Sequence, residues 1–135
     1  MKKVLALALA LCMVFSFCAM SASADGKTVI NVMSFTDEVP NMINRYLELH
    51  PDFADKYEIK TTITATTDGL YQPALDQALA AGGADAPDIY CAESAFVLKY
   101  CQGDACGFAA PYEDLGIDVA AATEAADIAQ YTIDI

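Results

Sequence analysis

Tryptophan is absent from this 135-residue chain, histidine occurs once, and basic residues are scarce: seven Lys and Arg stand against 19 Asp and Glu, for a formal charge of −12. Each shortage excludes something. A surface this acidic repels nucleic acid and anionic lipid headgroups. With His50 as its single imidazole, the chain is short of the clustered ligands a metal site needs. Cys-His nucleophilic chemistry would rest on that same residue, which the pattern places at a helix end beside Pro51. Gly82-Gly83 lacks the Gly-Lys-Ser/Thr continuation of a phosphate loop and sits at the wrong end of its helix. Carboxylates are so abundant that a pair such as Asp37 and Glu93 arises by chance, and glycoside hydrolysis needs a fixed separation between the two. No catalytic residue, metal or cofactor is expected.

What the chain does have begins with a leader. Lys2 and Lys3 precede an apolar run from Val4 to about Cys18, and Ala22-Ser23-Ala24 offers a small-x-small cleavage site before Asp25. This is the order of a secretory signal peptide, 1–24. The run is shorter than the ~20 apolar residues of a spanning helix. Neither Cys12 nor Cys18 follows a small residue, so simple export is expected rather than lipidation. Residues 25–135 then carry all 19 acidic residues and five basic ones, Lys27, Arg45, Lys56, Lys60 and Lys99. Their length suits one domain, and recurring aliphatic and aromatic residues argue against disorder.

Three cysteines remain beyond the leader: Cys91, Cys101 and Cys106. An odd number outside the cell leaves at least one thiol unpaired. Cys101 and Cys106 flank a polar loop and could bridge if their Cα atoms approach within about 7 Å. Cys91 reads as a small buried hydrophobe on a core strand.

Thr28 to Met33 is a β-rich opening strand. Ser34 to Asp37 forms a polar turn, and Pro40 is tolerable in the first turn of the helix that follows. That helix presents Val39, Met42, Ile43, Tyr46, Leu47 and Leu49 on a broad apolar face, and His50-Pro51 ends it. Tyr57 to Thr64 alternates as a second strand, and Thr66 to Gly69 makes a turn. Tyr71, Ala74, Leu75, Ala78 and Leu79 then fall on one helix face. Gly82 and Gly83 stop this helix, Pro87 prevents its resumption, and Asp88 to Cys91 reads as a third strand. A short helix is expected from Ala95 to about Tyr100, a loop over Pro111 to Asp118, and an alanine-rich helix from Val119 to Ala129. Tyr131 to Ile135 reads as the start of another strand.

Strands separated by helices imply an α/β fold with a mostly parallel sheet. Ligands of such sheets bind beyond the carboxyl ends of the strands. Those ends carry Ser34, Phe35, Thr36 and Asp37, then Thr67 and Asp68 with Tyr71 close behind, then Glu93 and Ser94. Hydroxyls, carboxylates and one or two rings on one edge suit a neutral, hydroxyl-rich ligand. Taken singly, Thr36, Asp68 and Ser94 are each expected to cap a helix. As a group, some are expected to face ligand.

The segments VINVMSF, LELHPDF and YQPALDQALAAGGADAPDIYCAESAFVLKY resemble the N-terminal lobe of extracellular solute-binding proteins of carbohydrate ABC transporters. The resemblance spans essentially all of 25–135, with APDIY its most specific stretch. It implies a two-lobed, periplasmic-binding-protein-like fold that closes over a sugar and hands it to a membrane permease without chemistry. It also implies that the ligand contacts fall on the strand-end residues just named. Met33 stands where the family often has an aromatic, and stacking would have to use Phe35, Tyr71 or Tyr90. The family continues through a hinge into a second lobe, so 25–135 is expected to be a partial lobe that binds sugar weakly or not at all. The implied partners are a small carbohydrate and the permease. The implied location is extracellular or periplasmic, with membrane contact only through the permease or a lipid anchor. The alternative is a secreted carbohydrate-binding or interaction module not coupled to transport.

Overall fold

The computed structural model describes residues 26–103 and 105–129, so the expected leader and the strand-like Tyr131–Ile135 lie outside the described residues. The chain divides into two compact units between Ala92 and Glu93.

The first unit is α/β, a three-stranded parallel sheet flanked by helices. Strand β1 (Thr28–Ser34) is central, with β2 (Tyr57–Ile63) on one side and β3 (Ile89–Tyr90) on the other, all parallel. The register sets Thr28 beside Tyr57, Asn31 beside Lys60 and Ser34 beside Ile63, and on the other side Val32 beside Ile89. β1 is the interior strand, and Val29, Val32, Met33 and Ser34 are its buried residues. β2 is an edge strand whose second half, Lys60 to Ile63, is exposed. A lysine at its centre is a common guard against edge-to-edge pairing.

Helix α1 (Glu38–Leu49) leaves the end of β1. Its first backbone bond runs from the Asn41 amide to the Asp37 carbonyl at 2.9 Å, but the Asp37 side chain makes no capping bond. Glu38 in the first turn complements the positive end of the helix dipole. The His50 amide bonds back to Tyr46 and Leu47, and Pro51 then opens the single-turn helix α2 (Pro51–Ala54). Proline suits that position because its missing N–H has no intrahelical partner there. So the His-Pro pair changes the helix direction rather than ending helical structure. Around this corner Tyr46 stacks on His50 at 4.1 Å, and Phe53 lies edge-on to Tyr46 at 5.6 Å and stacked with Tyr57 at 6.0 Å. The broad apolar face expected for α1 is not core: Pro40 is its one buried residue.

Helix α3 (Tyr71–Ala81) buries Tyr71, Leu75 and Leu79, one side chain per turn at i, i+4 and i+8. It stops at Gly82, whose φ of 61° and ψ of −157° a residue with a Cβ would resist. The loop from Ala84 to Asp88 is then fastened to β1 through Asn31. The Asn31 side-chain amide donates to the Ala84 and Ala86 carbonyls at 2.9 and 3.2 Å, and its backbone N–H donates to Asp88 Oδ2 at 2.8 Å.

In the second unit, α4 (Val97–Cys101) and a 3-10 turn (Cys106–Phe108) precede another 3-10 turn (Tyr112–Leu115) and helix α5 (Val119–Ala125). Phe96 and Tyr100 are buried, with their rings edge to face at 6.3 Å. Leu115 and Ile117, in the segment expected to be a loop, are exposed. Asp118 caps α5 by accepting the Ala121 N–H at 3.0 Å. That helix ends at Ala125 instead of Ala129, where the backbone turns through Asp127 with φ 51°.

Candidate functional site

The strand order β2-β1-β3 has a direct consequence for where a ligand can sit. The chain leaves β1 toward β2 on one side, and later crosses to β3 on the other side of β1. In parallel sheets ligands commonly bind beyond the carboxyl ends of strands next to such a reversal of order.

Short contacts fix the carboxyl ends of these strands. The Thr64 amide donates to the Ser34 carbonyl and the Cys91 amide to the Met33 carbonyl, each at 2.9 Å, so the β2 side stays bonded to the last residue of β1 and the β3 side to the residue before it. The Tyr71 hydroxyl lies 2.7 Å from the Cys91 carbonyl and 3.2 Å from the Met33 carbonyl. A phenol has one proton, so the shorter contact to Cys91 is the principal bond. Through it the first residue of α3 ties together the ends of β1 and β3. Tyr71 is 1% exposed, and burial is the main reason its hydroxyl is pushed up to about 12 from 10.0. The neighbouring Cys91 adds to the rise.

Seven of the residues named from sequence lie in this unit, and the structure sorts them. Ser34 is interior, at 1% exposure, and its Oγ accepts the Thr36 N–H at 3.3 Å. That is a local hydroxyl turn of the kind serine favours. Tyr71 is interior as well, so its ring is a strut and not an open stacking surface. Both side chains are interior in this unit. Phe35 is half-buried, with its ring edge-on to Tyr71 at 5.2 Å. Thr36 is half-buried, with Oγ1 at 3.5 Å from Glu38 Oε2. Asp37, Thr67 and Asp68 are exposed. Asp68 adopts a left-handed backbone, φ 57° and ψ 19°, within the 3-10 turn Thr67–Gly69. Aspartate is among the few residues with a side chain that tolerate this region. Glu93 and Ser94 are exposed and belong to the second unit.

The expected caps are also corrected. The positions before α1, α3 and α4 are held by Asp37, Leu70 and Phe96, none of which makes a side-chain capping bond. Thr36, Asp68 and Ser94 are thus not the caps of these helices.

A concavity of about 450 Å³ lies between α3 and the face of β1 and β2 that carries Asn31, Met33, Lys60 and Thr62. Thr64, Gln77 and Asp85 add polar groups to its lining, and Ala74, Ala78 and Ala81 make it roomy. None of the ligand-contact residues expected from sequence lines it. The alternation of Lys60, Thr62 and Thr64 along β2 was the available signal, since period two puts them on one face. Asn31 was missed too: an asparagine inside a β-branched run marks a strand that has something polar to hold.

Among the described residues no group of three or more His, Cys, Asp or Glu could hold a metal ion, and no helix is long and apolar enough to cross a membrane. No protein-family model, no curated protein and no solved structure matches the chain.

Proposed function

We propose that the chain is the extracellular solute-binding component of a carbohydrate ABC transporter, and that its first unit is part of that protein's N-terminal lobe. In this reading the lobe captures a sugar and delivers it to a membrane permease. The observation that carries the reading is the parallel β2-β1-β3 order, which sets Phe35, Thr36 and Asp37 at the carboxyl end of the central strand, beside the switch point. Asp37 and Asp68 are exposed carboxylates, each able to accept two hydrogen bonds from vicinal hydroxyls. The half-buried Phe35 ring, steadied by Tyr71, offers a small apolar face to a pyranose. The leader-like 1–24 and the acidic surface agree with an exported protein that binds neutral solutes.

The test is a ligand-observed NMR titration of the full chain with a panel of mono- and oligosaccharides. Saturable binding of at least one sugar is expected, with a Kd of about 1 mM, or about −4 kcal/mol. Asp37→Ala should weaken it about tenfold, equivalent to about 1.4 kcal/mol. Equal affinity of the variant and the parent chain for every sugar would remove Asp37 from the site, and micromolar binding by this chain alone would contradict the partial lobe of this reading.

A second reading, a secreted interaction module, is favoured by one feature. Met42, Tyr46, Leu49 and Phe53 are exposed on α1 and α2.

A further inference from the structure

We infer that the concavity between α3 and the face of β1 and β2 is a binding site for a free α-amino acid with an uncharged side chain. In it Lys60 takes the ligand carboxylate and Asp85 takes the ligand ammonium, with Asn31 next to both. The inference does not rest on the sugar-binding reading, and the groove lies wholly within the first unit.

Backbone pairing sets where the two charges stand. The register puts Lys60 beside Asn31, about 4.8 Å away across neighbouring strands. Asp85 is held close to the same residue. The carbonyls on either side of it, Ala84 and Ala86, both accept from the Asn31 side-chain amide, at 2.9 and 3.2 Å. Asp88, the other carboxylate of this loop, is already engaged by the Asn31 backbone N–H. Lys60 and Asp85 both line the groove, yet neither side chain has a hydrogen-bond or ion-pair partner among the described residues.

A cation and an anion left unpaired on one concavity suit a ligand that carries both signs. Every other described lining residue is uncharged. An anion such as phosphate meets Asp85 as a like charge, and a polyamine meets Lys60 as one. Quaternary ammonium groups and sugar rings are held best against aromatic faces, and none of the described lining residues is aromatic. A primary ammonium instead brings three donors. The Asp85 carboxylate accepts from it, and so does Asn31 Oδ1, the part of that amide not already committed to Ala84 and Ala86. The rest of the groove receives the ligand side chain. Met33, at 5% exposure, and the α3 residues Ala74 and Ala78 give it an apolar wall, while Thr62, Thr64 and Gln77 add neutral polar groups. Its volume of about 450 Å³ falls within the range of about 300–1,000 Å³ usual for small-molecule sites.

The test is amide shift mapping of the isotope-labelled full chain, titrated to about 20 mM with L-leucine and with L-glutamine, each beside its N-acetyl amide. Those analogues keep the side chain and lose both charges. At least one free amino acid is expected to give saturable shifts centred on Asn31, Lys60, Gln77 and Asp85, and neither analogue is expected to do so. Lys60→Met and Asp85→Asn should each weaken binding about tenfold, through loss of one charge-assisted contact. Both positions are exposed, so the variants keep the parent fold, which the dispersion of the amide spectrum checks. The inference is overturned if neither amino acid saturates or if the shifts centre elsewhere. It is equally overturned if an analogue binds as tightly as its free amino acid, or if either variant binds like the parent chain. Failure to bind sugar leaves each of these readouts unchanged, so the two readings fail separately.

Discussion

Helices α1 and α3 have comparable places in the chain, each following a parallel strand and leading toward the next, yet they relate to the interior in opposite ways. α3 buries Tyr71 to 1%, Leu75 to 0% and Leu79 to 7%, whereas Met42 and Leu49 on α1 are 63% and 60% exposed. In sequence α1 has the fuller apolar stripe. Periodicity thus shows which residues share a face, but not whether that face is covered. The difference lies at the helix start: α3 begins on Tyr71, whose hydroxyl anchors it to the ends of two strands, while α1 follows Asp37, whose side chain makes no capping bond.

The comparison breaks first on leucines. Leu75→Ala should cost about 2–5 kcal/mol, the range for a fully buried leucine, and Leu49→Ala about 0.5 kcal/mol or less. Urea unfolding of the two variants checks this, and similar losses would mean that α1 packs into the core as firmly as α3. Next comes the anchor. Tyr71→Phe keeps the ring but leaves the Cys91 carbonyl without its phenol, and should cost about 1–2 kcal/mol by the same assay.

The same hydroxyl gives a pH dependence whose sign is fixed. Its folded pKa, about 12, lies above the unfolded value of 10.0, so its contribution is complete below pH 10. Above that the unfolded chain loses the proton first, and the contribution falls as pH rises toward 12. The stability difference between the parent chain and Tyr71→Phe should therefore shrink over that interval. A difference that stayed constant would mean that burial does not hold the phenol protonated. The smallest effect is expected at the start of α1. Asp37→Ala should change stability by less than the ~1 kcal/mol of a working cap, because no capping bond exists to lose. Thermal unfolding reads it, and a loss above 1 kcal/mol would show the carboxylate to be a structural group.

The strands and α3 were legible in sequence because β-branched runs, one-face spacing and a Gly-Gly stop all point to the same answer there. Ser34 and Tyr71 were legible as members of the carboxyl edge but not as interior residues. Ser34 Oγ is satisfied within its own turn by the Thr36 N–H, and the Tyr71 hydroxyl by the Cys91 carbonyl twenty residues away, a bond no local pattern records. Capping was over-read for a related reason. Ser, Thr and Asp at a strand end serve turns, caps and ligands equally well, and only the φ/ψ path of the loop decides among these uses. The short β3 was legible as a strand but not in its length. Its pairing with β1 covers two residues, and the Asn31 contacts to Ala84, Ala86 and Asp88 set its approach.

The central claim is that ligand meets the first unit at the carboxyl end of β1. Backbone amide shift mapping of the full chain, titrated with the tightest-binding sugar to about 10 mM, tests it most directly, since a Kd of about 1 mM is then near saturation. The account predicts the largest shifts at Phe35, Thr36 and Asp37 and at Thr67 and Asp68. Shifts confined to Lys60, Thr62 and Gln77, in the groove beside α3, would contradict it.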